Sequence, residues 1–475
     1  MRLAFLSLAV LVLVACGSAR QGSRSAHTST PRVTAVEAPL PSNAKGRFEV
    51  GLTDVACAAP GSCAAAGYLS SNTISRGLLL VEQGGAWSVD EPPLPQVLRP
   101  GRRSEGVSSV ACPAAGHCVA VGYAASGSQL VPLVFTQRPH GWQETVLAKR
   151  GSLDLVSCPS TGNCTAAGGQ ELFDERKGEW GPPTTPGLPP NAAVTTASQT
   201  FGEPLIQGLS CWAAGNCAAV GVYGDKHGSP QGWLLTETDG AWAPGVEARL
   251  PANASTTKGA YLYPVIDITV SCAPSGDCTA VGGYADSASN QYGMILSEHD
   301  GSWGPAKQTP LPANAGPNPQ QGNSPRSPMG SVACPTSGSC SAVGWYVDNH
   351  MKYHGLLLDE AQGTWTPGQL VFPSGGHASA GISLDSVACP SAGNCFAVGS
   401  YNPNPSRLRP LLVAAENGTW SKSFEPPQPE GADENYNGSL VSVSCPAAKT
   451  CVAVGDAESA KYLDQRGLIV TIGRS

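Results

Sequence analysis

The chain has 475 residues, of which 41% are hydrophobic and only 13% are charged, and its formal net charge is −7. Lys and Arg are few and scattered, so the sequence offers no basic surface for nucleic acid, and we expect no nucleic-acid partner. The 57 Gly and 41 Pro residues favour short strands joined by turns over long helices. An all-β fold is therefore expected.

Residues 1–15 have the layout of a secretory signal peptide. One positive charge, Arg2, precedes an apolar run that ends at Cys16 and is too short to cross a membrane. An ordinary signal with an incidental cysteine is the alternative. The segment resembles a bacterial lipoprotein signal, whose last Cys receives the lipid. The resemblance implies lipidation of Cys16 and an extracytoplasmic chain anchored to the bacterial cell membrane.

Residues 16–32 follow as a small, polar stretch without aromatic or aliphatic anchors after Cys16. This composition is typical of a flexible tether, which here spaces the folded part from the bilayer. No later apolar run approaches the length of about 18 residues that a membrane span needs. Residues 33–475 are therefore interpreted as one domain.

Sixteen of the seventeen cysteines form eight pairs with five residues between partners, so the domain consists of repeats. Period-2 runs such as "SVSC" and "CVAVG" flank the pairs, which predicts a hairpin at each, and disulfides are the default in exported proteins. Metal binding is the alternative, and it would need two pairs converging on one ion. The predicted disulfides are Cys57–Cys63, Cys112–Cys118, Cys158–Cys164, Cys211–Cys217, Cys272–Cys278, Cys334–Cys340, Cys389–Cys395 and Cys445–Cys451.

After each Cys pair comes a second apolar run, and in the first seven repeats a Gly-containing turn and a Trp follow. Each unit thus has four expected strands and no helix signal, with a period of about 55 residues, which is the pattern of a β-propeller. A Trp that recurs at one place is best explained by packing between blades. These Trp residues are Trp87, Trp142, Trp180, Trp242, Trp303, Trp365 and Trp420.

The eighth unit has no fourth strand of its own before the sequence ends at Ser475. Residues 33–44, "VTAVEAPLPSNA", match the segment that ends other units, such as "WGPAKQTPLPANA" at 303–315. This N-terminal segment is expected to complete the last blade, which would leave no open sheet edge. The sequence therefore predicts a single eight-bladed β-propeller of four-stranded blades, closed by an N-terminal strand, and we expect a monomer.

The turn "SEHDGSW" at 297–303 resembles the Asp-box of bacterial neuraminidase-type repeats, as do "AQGTW" and "ENGTW" in later units. The resemblance implies a turn between the third and fourth strands of a propeller blade. Gly and Trp are one residue closer here, the Asp is usually missing, and the arginine triad and Phe/Tyr-Arg-Ile-Pro motif of sialidases are not present. Kelch-type propellers share the four-strand arrangement. Neither likeness implies an activity.

The loops between strands two and three and between units vary widely, and variable loops on a rigid scaffold commonly bind ligands. Three consecutive units carry Tyr-x-Asp six residues after the second Cys, and aromatics beside carboxylates suit sugar or cationic ligands. In the alternative interpretation, Tyr packs on its neighbour and Asp caps the turn. The candidate ligand-binding residues are Tyr223, Asp225, Tyr284, Asp286, Trp345, Tyr346, Asp348 and Tyr401.

Two loop patterns contain residue types that could bind a metal ion. His350 and His354 have a spacing that suits a metal ion, although loop histidines without metal are commoner. Asp433, Asn435 and Asn437 fit the first half of a calcium-binding loop, but its twelfth position is Ser444 instead of Glu. No cofactor is expected apart from a possible calcium ion.

Catalytic motifs are few. The sequence has no Gly-x-Ser-x-Gly elbow, no Gly-rich phosphate loop and no His-Glu-x-x-His. Carboxylates near the start of a first strand, at Asp154, Asp267 or Asp385, could still pair across a central channel and support glycoside hydrolysis or lyase chemistry. We expect a membrane-anchored module that binds a glycan or a protein, with a glycan-active envelope enzyme second and a structural surface protein third.

Overall fold

The computed structural model describes residues 32–42, 44, 48–71, 75–90, 103–126, 129–193, 203–255, 265–287, 290–316, 329–350, 352–370, 381–404, 406–429, 436–459 and 464–473. These residues form β-strands and turns, and no helix occurs among them. The expected all-β class is confirmed. The strands follow the eight repeats of the sequence.

The first described strand is β1 (Arg32–Glu37). The first unit contains β2 (Glu49–Ala59), β3 (Ser62–Ser70), β4 (Ser75–Gln83) and β5 (Ala86–Val89). The second contains β6 (Arg103–Ala111), β7 (Val119–Ser126), β8 (Gln129–Arg138) and β9 (Gly141–Val146). The third contains β10 (Leu155–Ser160), β11 (Asn163–Gly168), β12 (Glu171–Arg176) and β13 (Glu179–Trp180).

In the fourth and fifth units the outer strand is split into two short pieces. The fourth unit contains β14 (Leu205–Ala213), β15 (Asn216–Gly224), β16 (Pro230–Thr238), β17 (Ala241–Trp242) and β18 (Val246–Glu247). The fifth contains β19 (Val265–Cys272), β20 (Cys278–Ala285), β21 (Gln291–His299), β22 (Ser302–Trp303) and β23 (Lys307–Gln308).

The last three units complete the described strands. The sixth contains β24 (Met329–Thr336), β25 (Ser339–Val347), β26 (Tyr353–Ala361) and β27 (Thr364–Gln369). The seventh contains β28 (Ile382–Ser391), β29 (Asn394–Asn404), β30 (Arg407–Glu416) and β31 (Thr419–Trp420). The eighth contains β32 (Asn437–Ala447), β33 (Thr450–Ser459) and β34 (Asp464–Gly473).

Within each unit the strands pair antiparallel in chain order, which is the order of strands in a propeller blade. The sheet of the eighth unit is completed by β1, which pairs with β34 from Arg32↔Gly473 to Glu37↔Leu468. The N-terminal strand was therefore predicted correctly. It ends at Glu37, earlier than 44, because Pro39 and Pro41 lack the N–H that a further ladder would need.

All eight predicted disulfides are present, each within one unit, with Cα–Cα distances of 4.0 to 4.2 Å. In five units of the described chain the turn before the Trp donates a backbone hydrogen bond to the turn inside the Cys pair. For example, Gly215, with a φ of 73°, accepts a hydrogen bond from the N–H of Gly240 at 2.8 Å. The two kinds of short turn therefore occupy one face.

Adjacent units pack face to face. Val119 and Val121 of the second unit share a core with Ala166 and Phe173 of the third. The recurring Trp residues bridge units as well, since Trp303 Nε1 donates to Thr236 Oγ1 of the preceding unit at 3.2 Å. The packing role of these Trp residues is confirmed at such positions.

The first strand of each unit contacts the first strand of the next, from β2 through β6, β10, β14, β19, β24 and β28 to β32, and β32 contacts β2. These eight are called the inner strands. Serine hydroxyls join them: the N–H of Cys211 donates to Ser157 Oγ at 3.0 Å and that of Cys57 to Ser444 Oγ at 3.0 Å. The hydroxyls thus satisfy backbone donors that the inner strands present at their edges.

Seven inner strands contain a β-bulge at an equivalent place. In β28, Leu384 pairs with Gly399 and Ser386 with Val398, so Asp385 is the extra residue. The bulge explains the Gly of the repeated Ala-Val-Gly, because a Cβ on Gly399 would lie 2.1 Å from the carbonyl oxygen of Ser383. The extra residues are Thr53, Ser108, Gln207, Asp267, Gly330, Asp385 and Val441.

Candidate functional site

A cavity of about 400 Å³ lies among the inner strands of the fourth to seventh units. The extra residues of four consecutive bulges line its wall. A bulge reverses the alternation of side chains along a strand, so residues that would otherwise pack between units face this space instead. We call it the bulge cavity. It is lined by Gln207, Asp267, Ile268, Thr269, Met329, Gly330, Trp345, Ser383, Leu384 and Asp385.

The backbone at Asp267 is unusual, because its φ of 32° is positive and it is not a Gly. Such conformations cost free energy and cluster at sites where the surrounding structure enforces them. The equivalent bulge in the next unit is Gly330, which has no side chain and leaves room beside Asp267. The strand geometry thus opens the cavity and projects a carboxylate into it.

The polar side chains of the bulge cavity are two carboxylates, the amide of Gln207, the hydroxyls of Thr269 and Ser383, and the indole N–H of Trp345. Ser383 Oγ donates to Asp385 Oδ1 at 2.6 Å, and burial raises the pKa of Asp385 despite this bond. Gln207 Nε2 donates to Asp267 Oδ1 at 3.5 Å. Gln207 Oε1 is shielded from solvent and accepts no hydrogen bond from any described residue.

One aromatic side chain, Trp345, lines the cavity, and a second, Tyr353, packs against it. Trp345 is half-buried, and its ring centroid lies 5.2 Å from that of Tyr353, whose side chain is 46% exposed. Of the predicted ligand-binding residues, Trp345 is the one that lines this cavity.

The carboxylates that the sequence singled out are partly brought together. Asp267 and Asp385 line the same cavity, whereas Asp154 is not among its lining residues. Burial raises the pKa of Asp154, and Ser152 opposes that shift with a hydrogen bond. Two of the three candidates for paired acid chemistry therefore share one site.

The Tyr residues of the Tyr-x-Asp pattern are buried and hydrogen-bonded. Tyr223 and Tyr284 have no exposed surface, and their hydroxyls donate to Asn191 Oδ1 at 2.8 Å and Asn253 Oδ1 at 2.9 Å. These Asn residues belong to Leu-Pro-x-Asn-Ala segments that end the preceding unit. Each Tyr thus holds the connector between two units, as the packing alternative expects.

Tyr346 follows the same arrangement, since it donates to Asn314 Oδ1 at 3.0 Å in a third Leu-Pro-x-Asn-Ala segment. Tyr401 differs: it is 5% exposed and donates to Glu425 Oε2 at 2.8 Å, and Glu425 follows the outer strand of the same unit. We call the three Asn-linked contacts the connector clasps.

The Asp residues of the pattern cap turns. Asp348 Oδ1 accepts hydrogen bonds from the N–H groups of His350 at 2.8 Å and Lys352 at 2.9 Å. Asp225 caps its loop through Ser229 at 2.8 Å, and Asp286 caps its loop through Asn290 at 2.9 Å. These contacts match the capping alternative. A ligand-binding role for the Tyr and Asp residues stays a prediction.

The two metal hypotheses gain no support from the described side chains. His354 Nε2 lies 2.8 Å from Asp348 Oδ2, the carboxylate that caps the turn of the sixth unit. No group of three or more His, Cys, Asp or Glu suited to a metal occurs among the described residues. Asp433 and Asn435 lie outside those residues. Asn437 Oδ1 accepts the N–H of Leu408 at 3.0 Å, and its Nδ2 donates to Glu458 at 3.1 Å.

Sequence reasoning missed Gln207 and the connector clasps. The clasps had a signal, because Leu-Pro-x-Asn-Ala and Tyr-x-Asp recur together in consecutive units. Gln207 had none, since a lone Gln in a strand is unremarkable until a bulge directs it into a cavity.

Comparisons with known proteins add similarities to propellers at low identity. No protein-family model matches the chain, and no curated protein matches it. Sqt1 of Chaetomium thermophilum, solved with the N-terminus of ribosomal protein L10, is 11% identical over 90% of this chain and 97% of that chain, with a TM-score of 0.49. A protein of unknown function from Dyadobacter fermentans is 9% identical over 93% and 99%, with a TM-score of 0.42.

A Trypanosoma rangeli sialidase solved with 2,3-difluorosialic acid is 10% identical over 92% of this chain and 58% of that chain, with a TM-score of 0.35. Similarities this low assign no family, activity or ligand to the chain.

The location of the protein has partial structural support. Eight disulfides point to an oxidising, extracytoplasmic environment. Cys16 and the predicted signal peptide lie outside the described residues. In the part of the chain that the structure describes, no helix is long and apolar enough to cross a membrane.

Proposed function

We propose that the chain is an extracytoplasmic lipoprotein whose single eight-bladed β-propeller binds a small hydrophilic ligand in the bulge cavity. The N-terminal strand closes the propeller, and lipidated Cys16 tethers it to the bacterial cell membrane. The ligand-binding part of the proposal rests on one observation. Two carboxylates and an unpartnered amide oxygen line a cavity that also has a half-buried Trp in its wall.

Closure of the ring is supported by contacts between its first and last units. β1 pairs with β34 of the last unit, and Val50 and Leu52 of β2 share a core with Val454 and Ile469. Closure matters for function because it makes the inner strands a rigid frame, and rigid frames hold binding groups with little loss of conformational entropy on binding.

A ligand screen by thermal shift tests the binding function. Residues 32–475 would be screened against sugars, amines and short peptides, and hits would be repeated with Trp345→Ala and Asp385→Asn. We expect hits that raise the melting temperature of the parent and lose most of that effect in both variants. Asn394→Ala, in a turn on the opposite face, serves as the control and keeps the effect. Hits that survive both cavity variants would place the binding site elsewhere.

A glycan-active enzyme, a glycoside hydrolase or lyase, is the second candidate. The observation that favours it is the pair Asp267 and Asp385 in one cavity, with the pKa of Asp385 raised by burial. A carboxyl that keeps its proton can act as a general acid beside an ionised partner. Turnover of a fluorogenic glycoside that stops in Asp385→Asn would favour this candidate. Binding without turnover across the same panel would favour the binding module.

Lipidation is tested in bacterial cells. Mass spectrometry of the full chain is expected to show an acylated Cys16, and the protein is expected in the membrane fraction. Cys16→Ala should move it to the soluble exported fraction. An unmodified Cys16 in membrane-free protein would contradict the anchor.

A further inference from the structure

We propose that the ligand of the bulge cavity carries a primary ammonium group. The inference rests on the proposed function, because it names the chemical class of ligand for that same site. It starts from the two carboxylates and the shielded amide oxygen in the cavity wall.

The acceptors in the wall come from different units and face one space. Asp267 and Asp385 supply carboxylate oxygens, and Gln207 Oε1 is a shielded amide oxygen that no described donor reaches. A shielded acceptor without a donor is costly, so a ligand that donates to it gains affinity. A primary ammonium has three N–H donors and no acceptor, which matches this set.

The charge of the wall favours a cation over a neutral ligand. Among the described residues that line the cavity, none is Lys, Arg or His, whereas two are Asp. Asp267 is exposed and Asp385 is half-buried, so the penalty of removing a carboxylate from water without a counter-charge falls on Asp385, and a bound cation offsets it. The raised pKa of Asp385 is the expected sign of a carboxyl that is desolvated without a positive neighbour.

The aromatic wall adds a second preference for a cation. The faces of Trp and Tyr attract cations that lie within about 6 Å of the ring centre. Trp345 lines the cavity, and Tyr353 packs against it with a centroid distance of 5.2 Å. Trp345 therefore suits the ammonium or the methylene groups beside it.

A neutral sugar fits this wall less well. Sugar hydroxyls and ring oxygens also need donors, and the donor side chains of the described lining are Gln207, Thr269, Trp345 and Ser383. Gln207 Nε2 is directed at Asp267, and the hydroxyl of Ser383 donates to Asp385. A sugar would leave some of its own acceptors unpaired on entering the cavity, which lowers affinity.

The test compares n-butylammonium with n-butanol and methyl glucoside by ligand-detected NMR titration of residues 32–475. The alcohol has nearly the same shape as the amine without the charge. We expect n-butylammonium to bind with a millimolar or lower Kd, and both neutral probes to bind at least about tenfold more weakly. Asp267→Asn and Asp385→Asn should each weaken n-butylammonium by about tenfold, which corresponds to 1.4 kcal/mol.

Glu49→Gln is the matched control, because it removes a carboxylate from a separate cavity of about 610 Å³. It should leave the Kd unchanged, and thermal melts verify that every variant is folded.

If methyl glucoside binds more tightly and Asp385→Asn weakens it, the ammonium inference is wrong while the binding site stands. If Trp345→Ala, Asp267→Asn and Asp385→Asn affect no probe, both the inference and the bulge cavity as the site of the proposed function are excluded. If no probe binds, the ammonium inference is overturned.

Discussion

Asp54 Oδ1 accepts a hydrogen bond from Ser442 Oγ at 2.9 Å, although the two residues are 388 positions apart in the chain. The other carboxylate oxygen accepts from Ser109 Oγ and from the N–H of Val110, each at 2.9 Å. One side chain therefore joins the inner strands of the eighth, first and second units. Burial raises the pKa of this carboxyl, and its hydrogen bonds act in the opposite direction.

Replacement of Asp54 by Ala should destabilise the fold more than an ordinary surface change. The variant removes acceptors for donors on three inner strands, and we expect a loss of about 3 kcal/mol in the free energy of unfolding. Urea denaturation of residues 32–475 measures the change. Glu179→Ala, at an exposed position of an outer strand, should change it by less than about 0.5 kcal/mol. Equal effects of the two variants would show that Asp54 does not join the units energetically.

Removal of β1 should open the sheet of the eighth unit. A chain that begins at residue 38 lacks every pair from Arg32↔Gly473 to Glu37↔Leu468 and exposes the backbone edge of β34. Exposed edges promote association, so we expect a lower melting temperature and oligomers in light scattering. A chain that begins at residue 32 is the control and should stay monomeric. A stable monomer that begins at residue 38 would contradict a closing role for β1.

Stability should fall as the pH rises from 4.5 to 7. Glu237 has no exposed surface, and burial, followed by the charge of Asp174, raises its pKa from 4.5 to about 7. Because the folded-state pKa is raised, the folded chain binds this proton more tightly than the unfolded chain. The resulting stabilisation is complete below pH 4.5 and is lost as the pH rises through 7.

Glu237→Gln tests this dependence, because Gln does not titrate. Between pH 4.5 and pH 7.5 we expect the parent to lose more unfolding free energy than the variant, by up to about 3 kcal/mol. Urea midpoints at each pH give the comparison, and Glu179→Gln should keep the dependence of the parent. A parent that becomes more stable with rising pH would contradict the prediction.

Tyr284→Phe should lower stability, because it removes only the hydroxyl that donates to Asn253 at 2.9 Å in a connector clasp. The expected loss is about 1 to 2 kcal/mol in urea denaturation. Tyr353→Phe, at an exposed ring, should have little effect. If Tyr284→Phe instead weakens a ligand while stability is unchanged, the Tyr residues belong to a binding surface, as the sequence pattern also allowed.

The sequence by itself determined the repeat architecture. Equal spacing of Cys57 and Cys63, repeated through Cys445 and Cys451, is a local property, and so are the hairpin and the disulfide that it predicts. The place of the N-terminal strand was also readable, because residues 33–44 match segments that end other units and the eighth unit lacks such a segment.

Only the tertiary structure decided which side chains face the cavity. An alternating strand pattern assigns side chains to faces in strict order, but the bulges at Gln207, Asp267 and Asp385 break that order. Burial was not encoded locally either. Tyr284 is covered by a connector that ends the preceding unit, whereas Trp345, in the equivalent strand of the next unit, stays half-buried. The hydrogen bond between Asp54 and Ser442 depends on how the first and eighth units pack, and no spacing of residues along the chain predicts that these two side chains meet.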